Sequence, residues 1–386
     1  MKILDFKYNG KYLSDFGFKV AKTIDNTFGL NREIVVGNIN TIRNKPNHYG
    51  VKYTNTLPLK YLIMKDPCTN NSQGKLTIKD SIRKKDLYIL SDVGNYSCTY
   101  EMYGFTNHMG PDEHFQDIKR VFYAVRGHTD DINVIMPLLY ESRQHRRKSR
   151  ESLDCAIGLQ DLVHLGAKSI ITFDAHDVGI HNAIPRNCFE NFYCTNYIIN
   201  DIIDNEKIDF KNMLVISPDT GAVDRARVYA DILRTNVGMF YKRRDLTKIV
   251  DSKNPIIEHK YIGDDVKGKN LLIVDDMIAS GDSVIDVAEN LKKLGANKVF
   301  VTATFSLFTK GINNFKKAHE DGIIDRVYTT NLTYMNENYK KEEWLKIVDC
   351  SELIAVIINT LNYKQSLSPI LKEKEKILTK LKPYLK

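Results

Sequence analysis

The sequence predicts a doubly wound, parallel α/β protein of two domains behind a β-rich amino-terminal segment, and three observations carry that prediction. Short, β-branched apolar runs recur from about residue 80 onward, each run ends in polar residues, and segments with helical spacing lie between them. In order, the runs are DLYILSDV (86–93), INVIMPLLY (132–140), KSIITFDAH (168–176), NMLVISPD (212–219), NLLIVDD (270–276) and KVFVTATFSLF (298–308). Runs this short and this continuously apolar suit strands buried on both faces. SLDCAIGLQDLVHLG and SVIDVAENLKKLG have the amphipathic spacing of crossover helices. In such sheets ligands bind beyond the carboxyl ends of the strands, where Arg143, Asp174, His176, Asp219, Asp275 and Asp276 accumulate.

The ends of the chain differ in character. Residues 1–68 alternate aromatic and polar residues with no strand-helix rhythm, and TNNSQGK (69–75) reads as a boundary. The sequence therefore divides into 1–68, a first α/β domain over 69–190, a second over 191–363 and a basic tail over 364–386. Before the tail, SELIAVIINTLN reads as one more helix, and KEKEKILTKLKPYLK reads as a solvated amphipathic helix.

Composition narrows the function classes. With 386 residues, 42% hydrophobic and 27% charged, the chain has the makeup of a folded globular protein rather than a disordered one. A net charge of +8 is a mild basic bias that suits anionic ligands without implying nucleic acid. The six cysteines are scattered, with neither zinc-site spacing nor the density of a secreted scaffold, which points to a reducing compartment. No apolar run approaches the length of a membrane span and MKILDFKYNG carries charge where a signal peptide is apolar, so a cytoplasmic location without membrane contact is expected.

The strongest chemical signal is NLLIVDDMIASGDSVIDVAENLKKLG (270–295). An apolar strand delivers two adjacent carboxylates, Asp275 and Asp276, and a short loop, Ala279, Ser280, Gly281, Asp282 and Ser283, then opens a helix. Amides at a helix start favour a phosphate, glycine permits close approach, and small hydroxyls add donors. The carboxylates upstream can accept from sugar hydroxyls or hold magnesium. A strand-ending Asp276 and a helix-capping Ser283 are the plainer alternative for each residue taken alone.

This stretch resembles the phosphoribosyl pyrophosphate loop shared by phosphoribosyltransferases and phosphoribosyl pyrophosphate synthetases. Those loops usually carry an acidic residue at position 279, threonine at 280 and glycine at 282, so Ala279, Ser280 and Asp282 are departures. Three further segments resemble the synthetases in particular. YESRQHRRKSRES (140–152) is similar to their ATP segment, which implies nucleotide contacts from Arg143, Gln144 and Arg146. Guanidinium groups grip phosphate oxygens in pairs and stack on purines, although so basic a run is otherwise an ordinary solvated loop. ITFDAHDVGIHNAIP (170–185) is similar to the segment with the family's magnesium and phosphate histidine, which maps to His176. ISPDTGAVDRARVYADIL and GMFYKRRDLTKI (within 216–249) map a sugar- and metal-associated aspartate onto Asp219 and the catalytic lysine and arginine onto Lys242 and Arg244, in a lid over the phosphates.

The resemblance spans about residues 72–365, with NYSCTYEMYGFTNHMGPDEHFQDIKR and NVIMPLLYESRQHRR similar to a divergent clostridial-type branch. It implies two phosphoribosyltransferase-like domains and a ribose-phosphate diphosphokinase that uses Mg2+, ATP and ribose 5-phosphate and forms a homo-oligomer. A phosphoribosyltransferase, a catalytically silent synthetase homologue that regulates or scaffolds, and a virion tail component, which only the amino-terminal segment supports, are the alternatives. Family members normally begin with an extra strand and helix and an F-S-D-G-E type loop, near which only NNSQGK stands here. Residues 1–68 instead resemble the start of a phage distal tail protein, in FKYNGKYLSDFGFKV and PNHYGVKYTNTLPLKYLIMKDPC.

Overall fold

The computed structural model describes residues 34–38, 62–65, 75–78, 82–83, 85–125, 127–147, 149–244, 256–371 and 374–384. The chain forms two compact units: Met1–Tyr193 with Asn331–Tyr334 and Cys350–Ile370, and Cys194–Thr330 with Met335–Asp349 and Leu371–Lys386.

In the first unit, β1 (Ile34–Asn38), β2 (Leu62–Lys65), β3 (Lys75–Ile78), β4 (Asp86–Leu90), β5 (Thr99–Met102) and β6 (Phe105–His108) lead into α1 (Pro111–Val125). β7 (Ile132–Ile135), α2 (Asp154–His164), β8 (Ser169–Phe173) and β9 (Cys188–Phe192) follow. The sheet runs β1-β4-β7-β8-β9 with every pairing parallel. β7 and β8 are buried at every position, the condition that makes their sequences continuously apolar. Proline at its first position starts α1, whose Glu113 accepts from the Gly110 amide at 2.8 Å; Phe115, Ile118, Val121, Phe122 and Val125 form its buried face.

The second unit starts with α3 (Thr195–Asn205), β10 (Met213–Ser217), α4 (Val223–Leu233), β11 (Val237–Arg244) and β12 (Ile256–Ile262). It continues with β13 (Asn270–Ile278), α5 (Asp282–Lys293), β14 (Val299–Ser306), α6 (Asn313–Glu320), β15 (Arg326–Thr330) and β16 (Leu345–Val348). The strand order is β12-β11-β10-β13-β14-β15-β16, parallel except for β12, which returns antiparallel to β11. α5 turns Val284, Val287, Ala288 and Leu291 inward and carries Lys292 and Lys293 at its negative end.

α7 (Ser351–Asn362) belongs to the first unit, although it follows the whole second sheet in sequence. α8 (Lys374–Leu381) belongs to the second unit and packs on α3 and α4, with Ile377 and Leu381 fully buried. The basic tail is therefore a docked helix and not the solvated one its lysines predict: two apolar positions four residues apart suffice to seat one face.

All six apolar runs form strands at the expected places, as β4, β7, β8, β10, β13 and β14. Within the first 68 residues β1 and β2 are the described elements, and β1 pairs in parallel with β4 as a strand of the first sheet.

Candidate active site

In the second unit, β10 and β13 are parallel neighbours, with Met213 opposite Asn270 and Ile216 opposite Ile273, so both chains emerge at the same edge of the sheet. Beyond β10 the Asp219 carboxylate Oδ1 accepts from the amides of Gly221 at 2.8 Å and Ala222 at 3.1 Å, closing a turn that opens α4. The Ser217 hydroxyl tightens this turn by donating to the Asp219 carbonyl at 2.6 Å. Asp219 is exposed, and its Oδ2 accepts no hydrogen bond from a described residue.

Beyond the middle of β13, Asp275 and Asp276 follow four buried aliphatic residues. Asp276 is 2% exposed, and its amide donates to Asp275 Oδ1 at 2.9 Å. Burial holds the Asp275 carboxyl well above the usual carboxylate range. The Asp276 charge adds to that rise and the Asp219 charge contributes a smaller part, against the lowering effect of the donated amide. Asp275 thus lies close enough to Asp276 and to Asp219 to feel both charges, a repulsion that a hydrogen-bond donor or a cation at this edge would relieve.

The loop 279–283 turns immediately after β13. Gly281 caps α5 with φ at +85°, and its carbonyl accepts from Val284 and Ile285 at 3.1 and 3.0 Å. A Cβ there would collide with the buried Phe315 ring, which stacks on Trp344 with 5.8 Å between centroids. Only glycine meets both constraints. The loop is tied to the turn after β14 by hydrogen bonds from Leu307 to Ile278 O at 2.8 Å and from Thr309 to Ala279 O at 3.0 Å. From that turn Lys310 Nζ reaches Asp282 Oδ2 at 2.7 Å.

β11 pairs with β10 only over Val237–Met239 and then runs past the end of β10, accompanied by β12 alone. Lys242 stands opposite His259 and Arg244 opposite Ile256, with a bulge between Arg243 and Arg244. The sequence thereby places Lys242 and Arg244 on a two-stranded ribbon beyond the carboxyl edge, anchored by buried Phe240 against Tyr261 at 5.5 Å. The side chains of Lys242 and Arg244, and residues 245–249 of the expected lid, lie outside the described residues.

In the first unit the adjacent parallel strands β7 and β8 deliver the other two segments to one edge. Arg143 and Gln144 are exposed, and Arg143 makes no hydrogen bond or ion pair with a described residue. Asp177 organises the rest. It accepts from Arg146 Nη2 at 2.5 Å, contacts His145 Nε2 at 3.1 Å and caps a short 3-10 turn through the Gly179 amide at 2.7 Å. The Gly179 amide, Arg146 and His145 together hold the Asp177 carboxyl below its ordinary range, outweighing a rise from burial that is the largest single effect. The His145 and His176 rings lie 5.5 Å apart, and His176 is exposed rather than a core histidine. Asp177, His145 and Lys310 were not singled out from the sequence: Asp177 adjoins His176 in a legible segment, whereas nothing local marks Lys310.

His176 and Asp219, the expected metal residues, belong to different units. Among the described residues no group of three or more His, Cys, Asp or Glu side chains is placed to hold a metal. Magnesium typically binds one or two carboxylates together with substrate phosphates and water, so the exposed Asp219 oxygen and the Asp275–Asp276 pair fit an ion carried in on a nucleotide or sugar phosphate. Among the described residues no helix is long and apolar enough to cross a membrane.

The strand-end carboxylates and the glycine-capped loop thus sit at the carboxyl edge of a parallel sheet in a two-unit α/β protein, the place where such folds bind their ligands. A family model described as the N-terminal domain of ribose phosphate pyrophosphokinase matches residues 55–166, and one described as a phosphoribosyl synthetase-associated domain matches 241–372. Ribose-phosphate pyrophosphokinase of Mycoplasma genitalium is 28% identical over 308 residues, covering 78% of this chain and 84% of the relative. That of Mycoplasmopsis pulmonis is 29% identical over 299 residues, covering 76% and 84%. The crystal structure of phosphoribosylpyrophosphate synthetase from Mycobacterium smegmatis shares the fold, with a TM-score of 0.69 at 19% identity over 92% of this chain and 97% of that one. The chain is thus similar to ribose-phosphate pyrophosphokinases, which are diphosphotransferases, over most of its length. Residues 1–84 match a phage tail protein N-terminal domain, a match that overlaps the first pyrophosphokinase model from residue 55.

Proposed function

We propose that this chain transfers the diphosphoryl group of Mg-ATP to the C1 hydroxyl of ribose 5-phosphate, giving phosphoribosyl pyrophosphate and AMP. The observation that carries this reading is the loop 279–283: a glycine-capped helix start directly downstream of Asp275 and Asp276, beside the Asp219 turn. A phosphate suits the loop and a vicinal diol suits the carboxylates, so one ligand bearing both groups satisfies the edge.

In this reading Ala279, Ser280, Gly281, Asp282 and Ser283 anchor the 5-phosphate, while Asp219, Asp275 and Asp276 accept from the ribose hydroxyls. Arg143, Gln144 and Arg146 grip ATP, and Asp177 presets the Arg146 guanidinium before nucleotide arrives. His176 donates to the phosphate oxygens. Lys242 and Arg244 stabilise charge on the transferring group, and their ribbon excludes water, which limits hydrolysis of ATP. Magnesium, when bound, offsets the phosphate charge and aligns the leaving group. Phosphoryl-type transfer needs alignment and charge stabilisation more than covalent help, which is what cations and fixed amides supply. The protein acts as a homo-oligomer in the cytoplasm.

The test is purified full-length chain with ATP, ribose 5-phosphate and magnesium. Equimolar AMP and phosphoribosyl pyrophosphate, lost without magnesium, is the expected result. A folded chain that binds ATP and yields no AMP overturns the activity and returns the protein to a regulatory or scaffolding role.

A further inference from the structure

The loop that the proposed function assigns to the 5-phosphate carries a carboxylate, Asp282, at the first residue of α5. A fixed negative charge there opposes a phosphate dianion, and the structure contains its counterweight. Lys310 Nζ lies 2.7 Å from Asp282 Oδ2, with the two side chains 56% and 42% exposed. Lys310 is not an arbitrary surface lysine that happens to reach: the turn bearing it is fastened to the loop through Leu307 to Ile278 and Thr309 to Ala279, and it closes on itself through Gly311 N to Phe308 O at 2.7 Å. Phe308 and Gly311, on either side, both adopt positive φ, 45° and 78°, which sets the turn's shape.

An exposed ion pair of this kind contributes little to folding stability. Its effect on an incoming anion is larger, because the phosphate meets either a neutral pair or a bare carboxylate a few ångströms away. We propose that Lys310 is a charge-balancing and positioning residue of the 5-phosphate subsite, neutralising Asp282 so that the loop admits a sugar phosphate. The proposal rests on reading the loop 279–283 as that subsite.

The experiment uses the full chain with Lys310→Met, Asp282→Asn and the double variant. It reads the KM for ribose 5-phosphate and for ATP, kcat, and the Kd of ribose 5-phosphate by direct calorimetric titration without ATP. Lys310→Met is expected to raise both KM and Kd for ribose 5-phosphate about tenfold, while kcat, the KM for ATP and the melting temperature stay nearly unchanged. Adding Asp282→Asn to Lys310→Met is expected to restore sugar phosphate affinity to within about threefold of wild type, which a lysine acting only through its own contact with phosphate would not allow. An unchanged Kd in Lys310→Met, or a double variant as weak as the single one, overturns the proposal. Because the titration needs no turnover, a wild type that binds ribose 5-phosphate without making AMP overturns the activity while leaving the Lys310 comparison decisive. A wild type that binds no sugar phosphate overturns both.

Discussion

The ring of Phe315 lies against the α-carbon of Gly281: a Cβ built on that glycine would stand 2.7 Å from Phe315 Cζ and closer still to Cε2. Phe315 cannot retreat, because Trp344 stacks on it and Phe308 meets it edge-on at 5.2 Å. The phosphate-type loop is thus braced from inside the unit by aromatic packing.

Gly281→Ala is expected to cost about 2–4 kcal/mol of stability, from the positive φ together with overpacking against a ring that has no room to move. Urea unfolding checks the loss. The surviving folded fraction should also bind ribose 5-phosphate more weakly, since the amides at the helix start shift with the backbone.

Asp275→Asn is expected to separate stability from function. The amide keeps the Oδ1 acceptor for the Asp276 N–H and removes a half-buried carboxyl whose ionisation its surroundings, Asp276 and Asp219 oppose. Thermal unfolding should show a gain of about 1 kcal/mol. The KM for ribose 5-phosphate should rise at least tenfold, because the diol loses a charged acceptor.

The first unit has its own pH signature at Asp92. This buried carboxylate accepts from Gly94 N at 3.0 Å, Tyr334 N at 2.7 Å and Thr333 Oγ1 at 3.0 Å. Burial nevertheless pushes its pKa up to about 6. The folded state then holds more protons than the unfolded chain between about pH 4 and 6, so this group's contribution to stability falls as pH rises through that window and is flat above it. The stability of wild type minus that of Asp92→Asn should drop by roughly 2 kcal/mol from pH 4 to 7, measured by urea unfolding at each pH. A difference that is level or rising across the window contradicts the assignment.

Lys242→Ala should lower kcat at least a hundredfold while leaving the Kd of ATP within about threefold, as expected of a group whose charge matters in the transition state. Turnover at the normal rate would remove Lys242 from the mechanism.

The sequence exposes the strands buried on both faces, because an interior strand has to be apolar throughout; β8 and β10 have no exposed position. It hides β9, whose CFENF is only partly buried and carries no apolar run. The hairpin of β5 and β6 is hidden for the same reason, with Phe105 72% exposed. Asp275, Asp276 and Gly281 are legible because strand, loop and helix start are contiguous. Lys310 pairs with Asp282 across 28 positions through a turn placed by two strands, and no local pattern encodes such a meeting. The seat of α8 is hidden because its lysines outnumber the two residues, Ile377 and Leu381, that decide where it sits.

The backbone passes from one unit to the other after Tyr193, Thr330, Tyr334, Asp349 and Ile370. Neither half can therefore be excised by a single cut in the gene, and a product stopped before residue 350 would lack α7 as well as the tail. Ribosomal synthesis delivers that helix after every strand of the second sheet, so the first unit completes its native contacts only once β16 has been made.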